Sequence, residues 1–291
     1  MQASIFTEVM LPLVLAFIMF GMGLTLKPQD FLRLVSLPKA ALIGLLGQLV
    51  LLPVLAFLLA IALSAPPAIA IGMMILAACP GGTTSNLISH AARANLALSV
   101  SLTAVSTLIC IVSTPLIIRF AIDYFDTGNK IQFSLVNTSV GLLLISLLPI
   151  IAGMFVSYIY PHFARRSEKL FRNLSIVVMI ILIAIVAYRE RSMILGSLDD
   201  VLIDVLALNI GALLMAYGIA IIFKLQPSDQ LTIGIEVGTQ NGTLAIMIAL
   251  SFIQIPAYAV IAGVYSLFMY LSAAGLILLH RQRVSAQQNS D

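Results

Sequence analysis

Cys79-Pro80-Gly81-Gly82-Thr83-Thr84-Ser85-Asn86 lies inside an apolar run covering residues 68–91. Proline deletes a backbone donor and crowds the preceding turn, and paired glycines give up helical order. Four hydroxyl and amide side chains follow. A helix entering this stretch should unwind and leave carbonyls and amides bare. A second stretch, Glu236-Val237-Gly238-Thr239-Gln240-Asn241-Gly242-Thr243, interrupts the run 230–254 in the same way. Bare backbone at membrane depth survives only inside protein or against a wet cavity.

The surrounding composition makes that depth the relevant one. Of 291 residues, 61% are hydrophobic and 9% charged; a soluble domain carries roughly 25% charged residues. Nine apolar segments follow one another at 4–26, 40–63, 68–91, 96–124, 133–160, 170–188, 201–223, 230–254 and 257–280. Turn-forming or charged residues separate them. Backbone groups in hydrocarbon need internal partners, and barrel-like alternation is absent, so an all-α polytopic membrane protein is expected. No Lys or Arg precedes the first run, so no cleavable signal peptide is expected. With the N-terminus outside, the inner loops hold eleven Lys and Arg and the outer loops four, namely Arg119, Lys130, Arg189 and Arg191. That excess predicts an N-out, C-in inner-membrane protein. A net charge of +3 without a basic run offers nothing to nucleic acid.

Among the 12 acids, Glu236 alone falls well inside a span. An intramembrane carboxylate is costly and marks a site or a pathway. Its bland reading is a structural ion pair, but no Lys or Arg occupies mid-span. The breaks fall in the third and eighth segments, five positions apart, so the broken helices run in opposite directions. Interrupted helices at matching positions of inverted halves point to a transporter binding site. Pairing helices two to four with seven to nine leaves helix five unmatched, as if the first half had lost its first helix.

Hard cations take carboxylate, hydroxyl, amide and carbonyl oxygens. One acid among Ser, Thr and Asn suits sodium better than a proton relay. Ser99 and Thr103, spaced i, i+4, share a helix face; they read equally as ligands or as packing bonded back to the backbone. Ser101 and Ser106 lie off that face. Gln48 reads equally as a ligand or as an interhelical hydrogen bond. Cys79 and Cys110 sit in apolar runs and suggest neither a disulfide nor a metal site. His90, His162 and His280 stand alone near segment ends and read as interfacial residues.

At these residues the sequence resembles the bile acid:sodium symporter family, in the manner of its bacterial members. Phe20-Gly21-Met22-Gly23-Leu24-Thr25-Leu26 with Asp30-Phe31 resembles its first shared helix. Cys79–Asn86, continued by Ala92-Arg93-Ala94-Asn95 and Ala97-Leu98-Ser99, resembles its first crossover, and Glu236–Asn241 its second. The resemblance implies two inverted repeats, ten helices in bacterial members and nine in animal ones. The first helix of the ten-helix pattern is missing here. It implies a panel of helices 4–26, 133–160 and 170–188 and a core of 40–124 and 201–280, within a single transmembrane unit of 1–291. It also implies two sodium ions as coupling ions and no other cofactor. The first would use Ser85, Asn86, Ser99, Thr103 and Glu236. The second would use Gln48, Glu236, Gln240 and the carbonyls of Val237 and Thr239, where the family often has Met at the position of Thr239. A small organic anion, such as a bile-acid-like, pantoate-like, keto or hydroxy acid, would lie near Thr83 and Asn241.

The function expected is therefore sodium-coupled symport by alternating access, not catalysis. A proton-coupled or efflux carrier of the same superfamily is the nearest rival. An intramembrane enzyme would need a nucleophile with a base in reach, and no histidine sits at mid-depth. A channel would show a ring of repeated pore elements. The sequence is silent on substrate identity and oligomeric state.

Overall fold

Every long stretch of the described chain is helical because apolar segments without water must satisfy their own backbone. The structure is a computed structural model that describes residues 11–126, 133–189, 191 and 198–288. The start of the expected segment 4–26, and Lys130 and Glu190, lie outside the described residues. The helices are α1 (Leu11–Thr25), α2 (Pro28–Ser36), α3 (Pro38–Ala62), α4 (Pro67–Ala78), α5 (Thr83–Ala91) and α6 (Leu96–Phe125). Then follow α7 (Leu135–Ile159), α8 (Pro161–Arg189), α9 (Leu198–Ile222), α10 (Pro227–Gly238), α11 (Gly242–Ile253) and α12 (Val260–Gln288). Five are long and apolar enough to cross a bilayer, and α1, α4 and α11 are shorter apolar helices. The protein is an all-α polytopic membrane protein.

Two expected segments are broken where proline and glycine predict it, between α4 and α5 and between α10 and α11. Other features were not expected. Pro28–Ser36 is a short helix, α2, within the link between the first two segments. Pro28 occupies its first turn, where a missing N–H costs nothing, and Asp30 accepts the Lys27 amide at 2.8 Å. The helix α8 begins at Pro161, nine residues before the apolar run. Both α3 and α7 contain a π turn, at Gly47–Leu51 and Leu143–Leu147. In each a proline stands two residues after the turn (Pro53, Pro149), so one i→i−4 bond is impossible there. Leu52 and Leu148 donate one residue further back instead, to Gly47 and Leu143.

Helix α1 packs along α7 and α8. Gly23 and Gly153 allow close backbone approach: a Cβ on either would strike backbone of the facing helix, at Ile150 O or Phe20 O. Small residues serve this purpose in membranes, where no hydrophobic force drives helices together. Helices α4 and α10 lie deepest; α4 is buried from Ile69 to Ala78 and α10 from Asp229 to Gly238. The first is clasped by α3, α6 and α12, the second chiefly by α9.

Candidate functional site at the crossing of two broken helices

Where α4 and α10 stop, the chain passes through extended backbone. Cys79 has φ −75° and ψ 155°, and Thr239 has φ −115° and ψ 91°. The two breaks meet as one antiparallel bridge: Gly82 N donates to Thr239 O at 3.1 Å, and Asn241 N to Pro80 O at 3.1 Å. No described glycine has positive φ. Glycine is required here for space. A Cβ on Gly81 would lie 2.5 Å from Glu236 Oε1, and one on Gly82 would lie 3.2 Å from Gln240 O.

A helix end leaves carbonyls without partners, and in a buried place each must find one. They find them on neighbouring helices. Thr114 of α6 donates to Ala78 O at 2.5 Å. Gln48 Nε2, turned inward beside the π turn of α3, donates to Cys79 O at 2.9 Å. Gly238 O accepts from Tyr265 Oη at 2.9 Å and from Asn209 Nδ2 at 3.3 Å.

Around Glu236 the structure gathers all five residues named for the first ion. Its carboxylate is 1% exposed. Ser85 Oγ and Ser99 Oγ each lie 2.7 Å from Oε2, and Thr103 Oγ1 bonds to Oε1. Asn86 Oδ1 is 2.8 Å from Ser99 Oγ and 3.5 Å from Thr103 Oγ1. The three hydroxyls hold one proton each, yet Gly82 O and Ser99 O also claim Ser85 and Thr103. Oxygen acceptors therefore outnumber the donors. No Lys or Arg pairs with Glu236 among the described residues. Ser101 and Ser106 bond to their own helix, at Ala97 O and Thr103 O.

Four residues named for the second ion also meet. The Gln48 and Gln240 amides bond reciprocally, at 3.0 and 3.2 Å, and Gln240 Nε2 donates to Val237 O at 2.6 Å. Thr239 O is engaged by Gly82 in the bridge. The Glu236 carboxylate faces the first cluster; none of its hydrogen bonds reaches Gln48 or Gln240. Turning the Gln240 amide about its last torsion would replace an N–H by an oxygen. Thr239 Oγ1 and Asn209 Oδ1 are buried without a partner among the described residues.

A cavity of about 800 Å³ opens beside the crossing, bounded by α1, α5, α8 and α11. Methionines 19, 22, 154 and 269 supply apolar wall, Lys27 and His90 stand at one end, and Asn241 and Thr243 lie at the crossing. Asn241 Oδ1 caps α11 by accepting Leu244 N at 3.1 Å. The Thr83 side chain lies outside the described residues. Both half-helices α5 and α11 begin at this wall, at Gly82–Thr84 and Asn241–Thr243.

A family model for the sodium bile acid symporter family matches residues 12–197. The chain belongs to that family. The uncharacterized sodium-dependent transporter YocS of Bacillus subtilis (strain 168) is 32% identical over 98% of this chain and 88% of its own length. The probable sodium/metabolite cotransporter BASS1, chloroplastic, of Arabidopsis thaliana is 32% identical over 85% of this chain and 61% of its own length. For the ileal sodium/bile acid cotransporter of Oryctolagus cuniculus the identity is 32%, over 63% of this chain and 52% of that protein. The sodium bile acid symporter family and these relatives are transporters, not enzymes.

Asn209, Tyr265 and Thr114 are not among the site residues that the sequence names. Asn209 carried a usable signal, since an amide inside an apolar span needs a partner. Tyr265 and Thr114 carried none, because their partners are carbonyls on distant helices. His280, expected to stand alone, is buried and lies 3.1 Å from Tyr217 Oη. Cys79 and Cys110 are free and buried.

Proposed function

We propose that this protein is a symporter coupling sodium, two ions per cycle, to a small organic anion by alternating access. The observation that carries this reading is the Glu236 carboxylate, buried with excess oxygen acceptors and no cationic partner among the described residues. An unpaired buried charge is expensive, and a bound cation removes the imbalance. Oxygen-only ligands from carboxylate, hydroxyl and amide suit a hard cation. In this reading Ser85, Asn86, Ser99, Thr103 and Glu236 hold one ion. Gln48, Gln240, Glu236 and the Val237 and Thr239 carbonyls hold the other once the amides turn.

The anion would occupy the cavity beside Asn241 and Thr83. Two half-helix N-termini present their positive ends at that wall, the arrangement by which broken helices bind anionic groups. Apolar walls with few polar contacts fit a bile-acid-like, pantoate-like, keto or hydroxy acid. Helices α1, α7 and α8 would form the panel and the remaining spans the core that rocks against it. The charge excess supports an inner-membrane protein with its N-terminus outside and C-terminus inside.

The test uses Glu236→Gln, which keeps shape and removes charge. Purified wild-type protein should gain thermal stability in sodium relative to potassium, and an organic acid that adds to the gain names the substrate class. In Glu236→Gln the sodium gain and sodium-dependent uptake into proteoliposomes should both vanish. Undiminished uptake by that variant refutes the assignment.

A further inference from the structure

Away from the crossing, the ends of α9, α10 and α12 enclose a pocket of about 280 Å³ lined by Lys224, Leu225, Pro227, Gln230, Arg283 and Val284. Its two cations come from distant parts of the chain: Lys224 follows α9 and Arg283 lies in α12. Arg283 is half-buried, and its Nη1 lies 3.0 Å from Gln230 Oε1 and 3.3 Å from Tyr217 Oη. Its guanidinium carbon stands 5.9 Å from the centre of the Tyr217 ring. Tyr217 Oη is itself 3.1 Å from His280 Nδ1. The groups bonded to Arg283 are neutral, so they orient the guanidinium without cancelling its charge. The acid nearest Lys224 in sequence, Asp229, is engaged elsewhere: its Oδ1 accepts Asn95 Nδ2 at 2.8 Å. No ion pair involves Lys224 or Arg283 among the described residues.

Lys224 adds an independent observation. It closes α9 in left-handed backbone, with φ 52°, as Lys224 N bonds to Ile221 O and Leu225 N to Ala220 O. Glycine is the usual residue there, because an L side chain strains that backbone. Attraction to the helix C-terminus offsets part of that strain. It does not explain Arg283, which its bonds direct sideways onto α9 and α10.

We propose that this pocket binds a phosphate-bearing anion, and the apolar flank points to the headgroup of an acidic lipid as its source. A guanidinium fork beside an ammonium matches phosphate oxygens. Ile222 is 73% exposed, and Phe223, Leu278 and Leu279 are also exposed. They lie just before the two cations in the chain and offer a surface to acyl chains. Basic pockets between helix ends are a general mode of acidic-lipid recognition. Through Gln230 the pocket reaches α10 six residues before Glu236, a rise of roughly 9 Å along the helix. A bound headgroup would therefore hold the start of the broken helix.

The test is thermal unfolding of the full chain in detergent with added phosphatidylglycerol, phosphatidylcholine or inorganic phosphate. Phosphatidylglycerol should raise the midpoint by several degrees more than phosphatidylcholine. The readout is this increment, because Arg283→Gln also loses its contact with Gln230 and can lower the baseline. Lys224→Gly relieves the left-handed strain, so its baseline should hold or rise while the increment shrinks. Arg283→Gln should abolish the increment. An increment from inorganic phosphate alone, sensitive to both substitutions, keeps the anion site and overturns the lipid as occupant. Equal increments in wild type and both variants overturn the proposal.

Discussion

Gly238 ends α10 with its carbonyl oxygen outside the helix, and Tyr265 and Asn209 reach it from α12 and α9. On either side of it stand Val237 and Thr239, whose carbonyls are assigned above to the second ion. The flanking carbonyls accept from Gln240 Nε2 and Gly82 N, and the capped Gly238 oxygen between them fixes the middle of three successive peptide planes. Removing the tyrosine hydroxyl leaves Gly238 O to the longer Asn209 bond and loosens the middle plane. Tyr265→Phe keeps the ring, which is fully buried, and deletes one neutral hydrogen bond worth about 1 kcal/mol, or about fivefold in an equilibrium constant. The sodium concentration giving half-maximal uptake should rise by that factor, with protein yield and maximal rate retained. An unchanged sodium dependence would mean that the cap serves folding alone. The Glu236 cluster behaves differently, because there the groups crowd a charge. Losing any one hydroxyl leaves other oxygens on the carboxylate, whereas losing the carboxylate removes the attraction itself.

The two broken helices act as a pair because their breaks share a bridge. Pro80 O and Gly82 N face Asn241 N and Thr239 O, so neither break can straighten without unpairing the other. The glycines within the first break should therefore differ in sensitivity for a steric reason. Gly81→Ala places a methyl 2.5 Å from a Glu236 carboxylate oxygen, whereas Gly82→Ala meets Gln240 O at 3.2 Å. The first displaces the carboxylate from its hydroxyls; the second asks for a shift of a few tenths of an ångström. Sodium-dependent uptake should fall at least tenfold in Gly81→Ala and severalfold less in Gly82→Ala. Equal losses would place the constraint in the backbone instead. The breaks were legible in sequence because proline and paired glycines act locally, and the convergence of Ser99 and Thr103 followed from helical spacing. The π turns of α3 and α7 were not read, although Pro53 and Pro149 mark both. A missing donor states that a bond is lost but not how the helix compensates. The caps that Thr114 and Tyr265 place on Ala78 and Gly238 were illegible for another reason: their donors lie on other helices and obey no local pattern, whereas the span amides Gln48 and Asn209 signal that a partner is needed without naming it.

At the scale of the molecule, the direction of the large cavity and the charge of the cargo determine what drives transport. The cavity runs from Lys27, His90 and Pro161 to Gly82 and Asn241 at the crossing. Lys27, His90 and Pro161 belong to segment ends that the proposed N-out orientation would place in the cytoplasm, and in that orientation the conformation would correspond to an inward-facing state. In the cycle proposed, binding from the opposite side brings two sodium ions and one monovalent anion to the crossing, and one net positive charge crosses per turnover. A charge crossing the membrane gains about 2.3 kcal/mol per 100 mV, which permits roughly fiftyfold accumulation per 100 mV beyond that set by the sodium gradient. Proteoliposomes with a fixed sodium gradient should therefore accumulate the anion more strongly when the interior is made negative. The dependence should vanish in Glu236→Gln together with uptake. Replacing the monovalent anion by a divalent one should cancel the charge movement and flatten the response, because two cations then balance the cargo. Indifference to voltage with a monovalent substrate would reduce the stoichiometry to one ion. The Glu236 cluster would then stand as the coupling site, and the Gln48–Gln240 pair would be a structural clasp between α3 and the second break.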